Sequence, residues 1–129
     1  MAKTINYDKI KKDMQDWPNR WAGTNADIPV GNKIIQAMEP FLLAMKDDGL
    51  AVTTVNRHLT NLWLLGGEII SRLYDDPKLR KADGNQLLLE FVEEEGGPLS
   101  KHISTEEEQR GFDGTCRKLY RFLKKESNG

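Results

Sequence analysis

The chain has 129 residues, 38% of them hydrophobic and 30% charged, which suits one soluble globular domain large enough to bury a core. A net charge of −1 gives the molecule as a whole no pull toward nucleic acid or anionic membrane, so either partner would have to be met by uneven placement of charge. The single cysteine excludes an internal disulfide, and with no N-terminal apolar leader and no long apolar run the expectation is a cytoplasmic protein without a membrane span.

Thr4 is placed to cap a first helix, in which Tyr7, Ile10, Met14 and Trp17 follow helical spacing until Pro18 stops it. The next segment, NRWAGTNADIPVGN (residues 19–32), holds turn formers without sustained periodicity and reads as a loop pinned by Trp21. Ile34, Ile35, Met38, Phe41, Leu42 and Met45 mark one face of a second helix. Pro40 falls inside that pattern and predicts a kink, or two helices meeting near Glu39. Asp47-Asp48-Gly49 ends it, with Gly49 just past the last turn, where a left-handed residue is usual.

The stretch LAVTTVNRHLTNLWLLGGEIISRL, residues 50–73, is the organising element. Val52, Val55, Leu59, Leu62, Trp63, Gly66, Ile69, Ile70 and Leu73 recur at steps of three and four, one apolar face of a helix about six turns long. Gly66 and Gly67 sit mid-helix, where each costs about 1 kcal/mol relative to Ala. Such a pair predicts that another backbone passes close by and that the helix is packed on more than one side.

Tyr74-Asp75-Asp76-Pro77 is a break, and a polar connection follows to Asp83. Asp83 with Gln86 caps a short helix carrying Leu87, Leu88, Phe91 and Val92, closed by Gly96-Gly97-Pro98. Ser104 with Glu107, or Thr105 with Glu108, offers a capping box for a last helix with apolar positions Phe112, Cys116, Leu119, Phe122 and Leu123. No segment alternates with period two and none repeats. The reading is all-α, a compact bundle of about five helices in one domain over 1–129, with an N-terminal helix and arm to residue 32 and the bundle proper over 33–129.

Charge is unevenly placed. Asp83, Glu90, Glu93, Glu94, Glu95, Glu106, Glu107 and Glu108 face Lys101 alone, whereas Arg110, Arg117, Lys118, Arg121, Lys124 and Lys125 face Asp113 and Glu126. At about 100° per residue, Arg110, Arg117, Arg121 and Lys124 fall in one narrow stripe opposite Phe112, Leu119 and Leu123. One account is dipole complementation on a solvated face. The other is a phosphate-contacting stripe, whose four contacts would cost roughly a hundredfold in affinity between about 50 and 200 mM salt. The polar side of the central helix adds Asn56, Arg57, Thr60, Asn61 and Arg72, among which Asn and Arg are types that read base edges, with Glu68 lying among them.

GLAVTTVNRHLTNLWLLGGEI is similar to the segment that opens the long helix in the N-terminal core-binding (SAM-like) domain of tyrosine recombinases and phage integrases. Gly49-Leu50, Thr54-Val55 and Leu59 with Leu62-Trp63 hold its places. RKLYRFLKKESNG, residues 117–129, resembles the aromatic ending of the same domain, with Leu119-Tyr120-Arg121-Phe122-Leu123 at its core. The resemblance covers roughly residues 30–129. It departs from the family at Ala51, which stands where the family has a capping Ser and shifts or weakens that cap, at Gly111 and Gly114, which interrupt the last helix, and in the acidic block. The catalytic Arg, His-x-x-Arg and Tyr nucleophile have no counterpart: Tyr120 belongs to the packing motif, and Tyr7 and Tyr74 have no Arg/His cluster near them. The resemblance implies the DNA-holding half without the cutting half, with the helices bearing Arg57 and Arg117, Arg121 and Lys124 crossing the duplex.

No other chemistry is expected. His58, His102 and Cys116 lack a second ligand at metal spacing or a nucleophile–base pairing, and consecutive glutamates on a helix point in different directions. The two Gly-Gly pairs lack the Lys-Ser/Thr of a phosphate loop. The expectation is a non-catalytic domain with no cofactor, metal or small-molecule substrate, which binds duplex DNA through the helices at 53–73 and 105–125. Its contact residues would be Asn56, Arg57, Asn61, Arg110, Arg117, Arg121 and Lys124. The alternative is a protein–protein adaptor of the same fold, using the acidic 83–108 region or the aromatic N-terminal arm at Trp17 and Trp21.

Overall fold

The computed structural model describes residues 5–100 and 102–128, with the side chains of 127 and 128 excepted. Five α-helices follow in order: α1 (Tyr7–Trp21), α2 (Asp27–Asp47), α3 (Val52–Arg72), α4 (Gly84–Phe91) and α5 (Glu106–Asn128), with a 3₁₀ turn at Pro77–Lys81. Among the described residues there is no strand, and no helix is long and apolar enough to cross a membrane.

Thr4 lies outside the described residues; the cap observed on α1 is Asn6, whose Oδ1 accepts from Lys9 N at 3.0 Å. Pro18 does not stop α1, which continues to Trp21. The proline ring is buried against Gly31 of α2, where an added Cβ would come within 2.7 Å of it. That burial offsets the helix bond the ring removes. The expected long loop shrinks to residues 22–26, because α2 already begins at Asp27 and Pro29 stands in its first turn, where a missing N–H costs little. Nor does Pro40 split α2, which is one helix from Asp27 to Asp47. Gln36, whose carbonyl the ring deprives of a partner, is exposed and open to water. Gly49 ends the segment at φ 65°, as its position implied.

α2 and α3 share the centre. α2 packs on α1, α3 and α4, and α3 packs on α1, α2 and α5. Between them lie Phe41, Met38, Leu62, Leu65 and Ile69, joined by Met14 from α1, Leu87 from α4, and Phe112 and Leu119 from α5, all at most 2% exposed. The notch at Gly66 has a different cause from the one expected. The nearest neighbour is the Trp21 indole and not a backbone: a Cβ on Gly66 would lie 2.2 Å from that ring. Trp21 Nε1 donates to Trp63 O at 3.1 Å, so the indole is held in its slot by packing and by a hydrogen bond.

α4 has the full capping box expected of Asp83 and Gln86, with both reciprocal bonds present. Gly97 N donates to Asp113 Oδ1, which ties the loop after α4 to α5. For α5, Thr105 Oγ1 accepts from Glu108 N at 3.0 Å, so of the two candidate caps Thr105 makes the bond. α3 starts behind Ala51 with no side-chain cap.

Candidate nucleic-acid interface

α3 and α5 meet along a seam whose buried polar side chains, among the described residues, are three that bind one another. Asn61 Nδ2 donates to Thr115 Oγ1 at 2.8 Å and to Gly111 O at 3.2 Å, and His58 Nδ1 lies 2.8 Å from Thr115 Oγ1. Partners on α5 fall from 115 toward 111 as α3 numbers rise from 58 to 61, so the helices run antiparallel. The Thr115 hydroxyl already accepts from Asn61. Its one proton goes to Gly111 O at 3.4 Å. With that proton placed, the contact with His58 is Nδ1–H donating to Thr115 Oγ1, and Nε2 of the neutral ring carries no hydrogen. Burial, followed by the charges of Lys118 and Arg57, holds the His58 pKa below the ordinary histidine range, which agrees with a neutral ring.

The cations expected to meet DNA stand on the outside of this seam. Arg110, Arg117, Arg121 and Lys124 are all exposed on α5, and Asn56 and Arg57 are exposed on α3. Arg117 Nη1 reaches Glu95 O at 3.5 Å, and Lys124 Nζ sits 6.0 Å from the Tyr120 ring. The ion pairs found among the described residues are Arg20–Asp16, Arg72–Glu68 and Arg80–Asp27, so none of these six side chains is joined to a carboxylate there. Arg72, by contrast, is taken up by Glu68 at 2.8 Å.

Asn61 is a correction. It does not lie on the polar side of α3: it is 8% exposed and its amide is spent on α5, so it holds the seam together and is not available to a base edge. Lys118, half-buried and close enough to His58 to bear on its titration, is a cation of the seam that the stripe left out. Its signal was present in the spacing, three residues beyond Thr115 and seven beyond Gly111 on one face of α5. Gly111 and Gly114 have no packing reason among the described residues. A Cβ on Gly111 would meet nothing within 4 Å, and one on Gly114 would meet only the Arg117 guanidinium, at 3.9 Å.

Other clusters serve the fold. Asp27 is fully buried; its Oδ2 accepts from Tyr74 Oη at 2.6 Å, Gly23 N at 2.9 Å and Thr24 N at 3.2 Å. Arg80 Nη2 forms an ion pair with Oδ1 at 2.9 Å. Burial pushes this carboxyl up, but the bonds from Tyr74, Gly23 and Thr24 and the contact with Arg80 outweigh it and hold the pKa at about 2. Cys116 is buried, and burial with the Asp113 charge pushes its thiol up to about 12, far from a reactive thiolate. Trp17, Trp21 and Trp63 pack on one another with centroids 5.5–5.7 Å apart. Beside them a depression of about 520 Å³ is lined by Trp21, Trp63, Leu64, Gly67, Glu68, Ser71 and His102. The glutamates at 93–95 and 106–108 are exposed, and no group of three or more His, Cys, Asp or Glu among the described residues could hold a metal ion.

No protein-family model matches the chain, and neither does any curated protein or solved structure.

Proposed function

We propose that this chain is a non-catalytic, cytoplasmic domain that holds duplex DNA by its phosphates through α3 and α5, in the manner of the core-binding, SAM-like domain that its sequence resembles. It would serve as an accessory or remnant of mobile-element machinery. The observation that carries this reading is the exposed row of Arg110, Arg117, Arg121 and Lys124, without carboxylate partners among the described residues and adjoining Arg57 and Lys118 on the seam. Dipole complementation is the weaker account of the row. A helix dipole acts within the first and last turns, where it favours acids and bases respectively. Arg110 stands in the second turn of α5 and Arg117 near its middle, so the dipole rewards neither.

The test is a gel shift with mixed-sequence duplex at low ionic strength, comparing the chain with an Arg117→Ala, Arg121→Ala, Lys124→Ala variant. Losing three phosphate contacts should weaken binding on the order of a hundredfold while the melting temperature stays close to that of the parent. Equal binding by the two proteins would remove the row from the account.

A second reading, as a protein–protein adaptor, is favoured by the depression beside Trp21 and Trp63 and by Leu99, which is 78% exposed on the loop above α5. It loses the free aromatic arm, since Trp21 is engaged by Gly66 and Trp63 of its own chain. Retention of a protein partner by a chain that shifts no DNA at low salt would favour it.

A further inference from the structure

His58 has one ring nitrogen that the seam does not use. Nδ1 is held by Thr115, and Nε2 has no hydrogen-bond partner among the described residues. Asp27 Oδ1 is the buried side-chain nitrogen or oxygen found there without a hydrogen bond, so Nε2 keeps contact with solvent although His58 is only 7% exposed. It is a basic nitrogen held in place by the bond at Nδ1 and in contact with solvent. Arg57 precedes it on α3, Lys118 lies one turn beyond Thr115 on α5, and from α2 it meets the uncharged ring of Phe41, edge-on, with centroids 6.3 Å apart.

We propose that His58 Nε2, Arg57 and Lys118 form a seat for one backbone phosphate of a nucleic acid, and that filling the seat draws a proton onto Nε2. The proposal rests on the DNA-binding reading above and names a contact within it. While the seat is empty, two cations flank an imidazole largely cut off from water, and both burial and charge keep it neutral. A phosphate cancels the two charges and offers an acceptor to Nε2 once it carries a proton, while Nδ1–H keeps its bond to Thr115. From an imidazolium that bond is charge-assisted, whereas the neutral ring has no hydrogen on Nε2 to give. His58 then titrates higher in the complex than in the free chain, and binding takes up a proton. By linkage, affinity climbs as pH falls through the raised bound-state pKa and levels off below the depressed free-state value. Each unit between the two is worth up to about tenfold in affinity.

The two imidazoles of the full chain can be followed by NMR across pH in three samples: protein alone, with a mixed-sequence duplex at low salt, and with inorganic phosphate at the same phosphate concentration. The expected result is an upward shift of His58 with duplex and a smaller one with inorganic phosphate. His102 should not move, because it lies beside Ser71, about 20 Å further along α3. Duplex affinity at pH 6 should exceed that at pH 8 by about tenfold. That dependence should vanish in His58→Gln, whose amide can still meet Thr115. Lys118→Ala, outside the core, should weaken binding and raise His58 in the free chain. If duplex binds but His58 does not shift, or if His58→Gln keeps the parent's pH dependence, the seat is wrong while the DNA reading stands. An equal shift with inorganic phosphate would make it a free-anion site instead. Failure of the duplex to bind at low salt would overturn both.

Discussion

Two arginines of this chain meet opposite fates. Arg80 is drawn to a buried carboxylate, with Asp27 at its guanidinium, Tyr74 under it at 5.5 Å and the carbonyl of Ala26 at 3.3 Å. Arg117 is exposed with a single long contact to a backbone oxygen. The contrast extends to their surroundings. Where α1, the 22–26 link and Tyr74–Arg80 come together, donors and acceptors are used on one another, down to Lys33 Nζ bonding the carbonyls of Arg80 and Ala82. Along the outside of α3 and α5, cations are held in a row and left to solvent. The first arrangement stabilises a fold; the second has, among the described residues, only a long bond from Arg117 to Glu95 O and Lys124 beside the Tyr120 ring, which is why function is sought there.

The largest expected effect belongs to the first region. Trp21→Ala empties the slot over Gly66 and removes the bond to Trp63 O, and should cost about 3–5 kcal/mol in denaturant unfolding. A loss below about 1 kcal/mol would mean that the indole does not hold α1 to α3. Next is the acid limb of stability. Asp27 is depressed from the ordinary 3.8 to about 2, so its contribution is complete above the unfolded value and is lost as pH falls from 3.8 through 2. Unfolding measured down that range should show about 2 kcal/mol disappearing, and Asp27→Asn should flatten that limb. The smallest effect lies on the seam and has the opposite sign. Gly111→Ala adds a methyl into open space and should stabilise the domain by about 1 kcal/mol. If a phosphate backbone passes over the bare helix there, the same change should weaken DNA binding, which sharpens the contrast between the two regions.

What could be read from sequence was whatever is decided locally. The Asp83–Gln86 box, Gly49 after α2 and Thr105 before α5 are settled by a few neighbouring residues, and their signals were sufficient. Pro18 and Gly66 lie beyond a local reading because each answers to a residue far along the chain, Gly31 in one case and Trp21 in the other. Asn61 shows the limit of periodicity. It falls at the border between Arg57 and Leu65 on α3, and only its partner Thr115, itself a polar residue on an otherwise apolar face, turns it inward. The basic row was legible because a stripe of charge needs no partner to be visible. Lys118 and His58 were not, because their significance comes from the meeting of two helices about fifty residues apart, well beyond the local spacings that periodicity reads.

The most direct test of the row is the dependence of duplex affinity on salt, measured between roughly 50 and 200 mM for the parent and for the Arg117, Arg121, Lys124 triple-alanine variant. Four phosphate contacts give a slope of log affinity against log salt of about −3.6, and the variant should be shallower by about 2.7. A flat parent curve, or a slope that the three substitutions leave unchanged, would contradict the account.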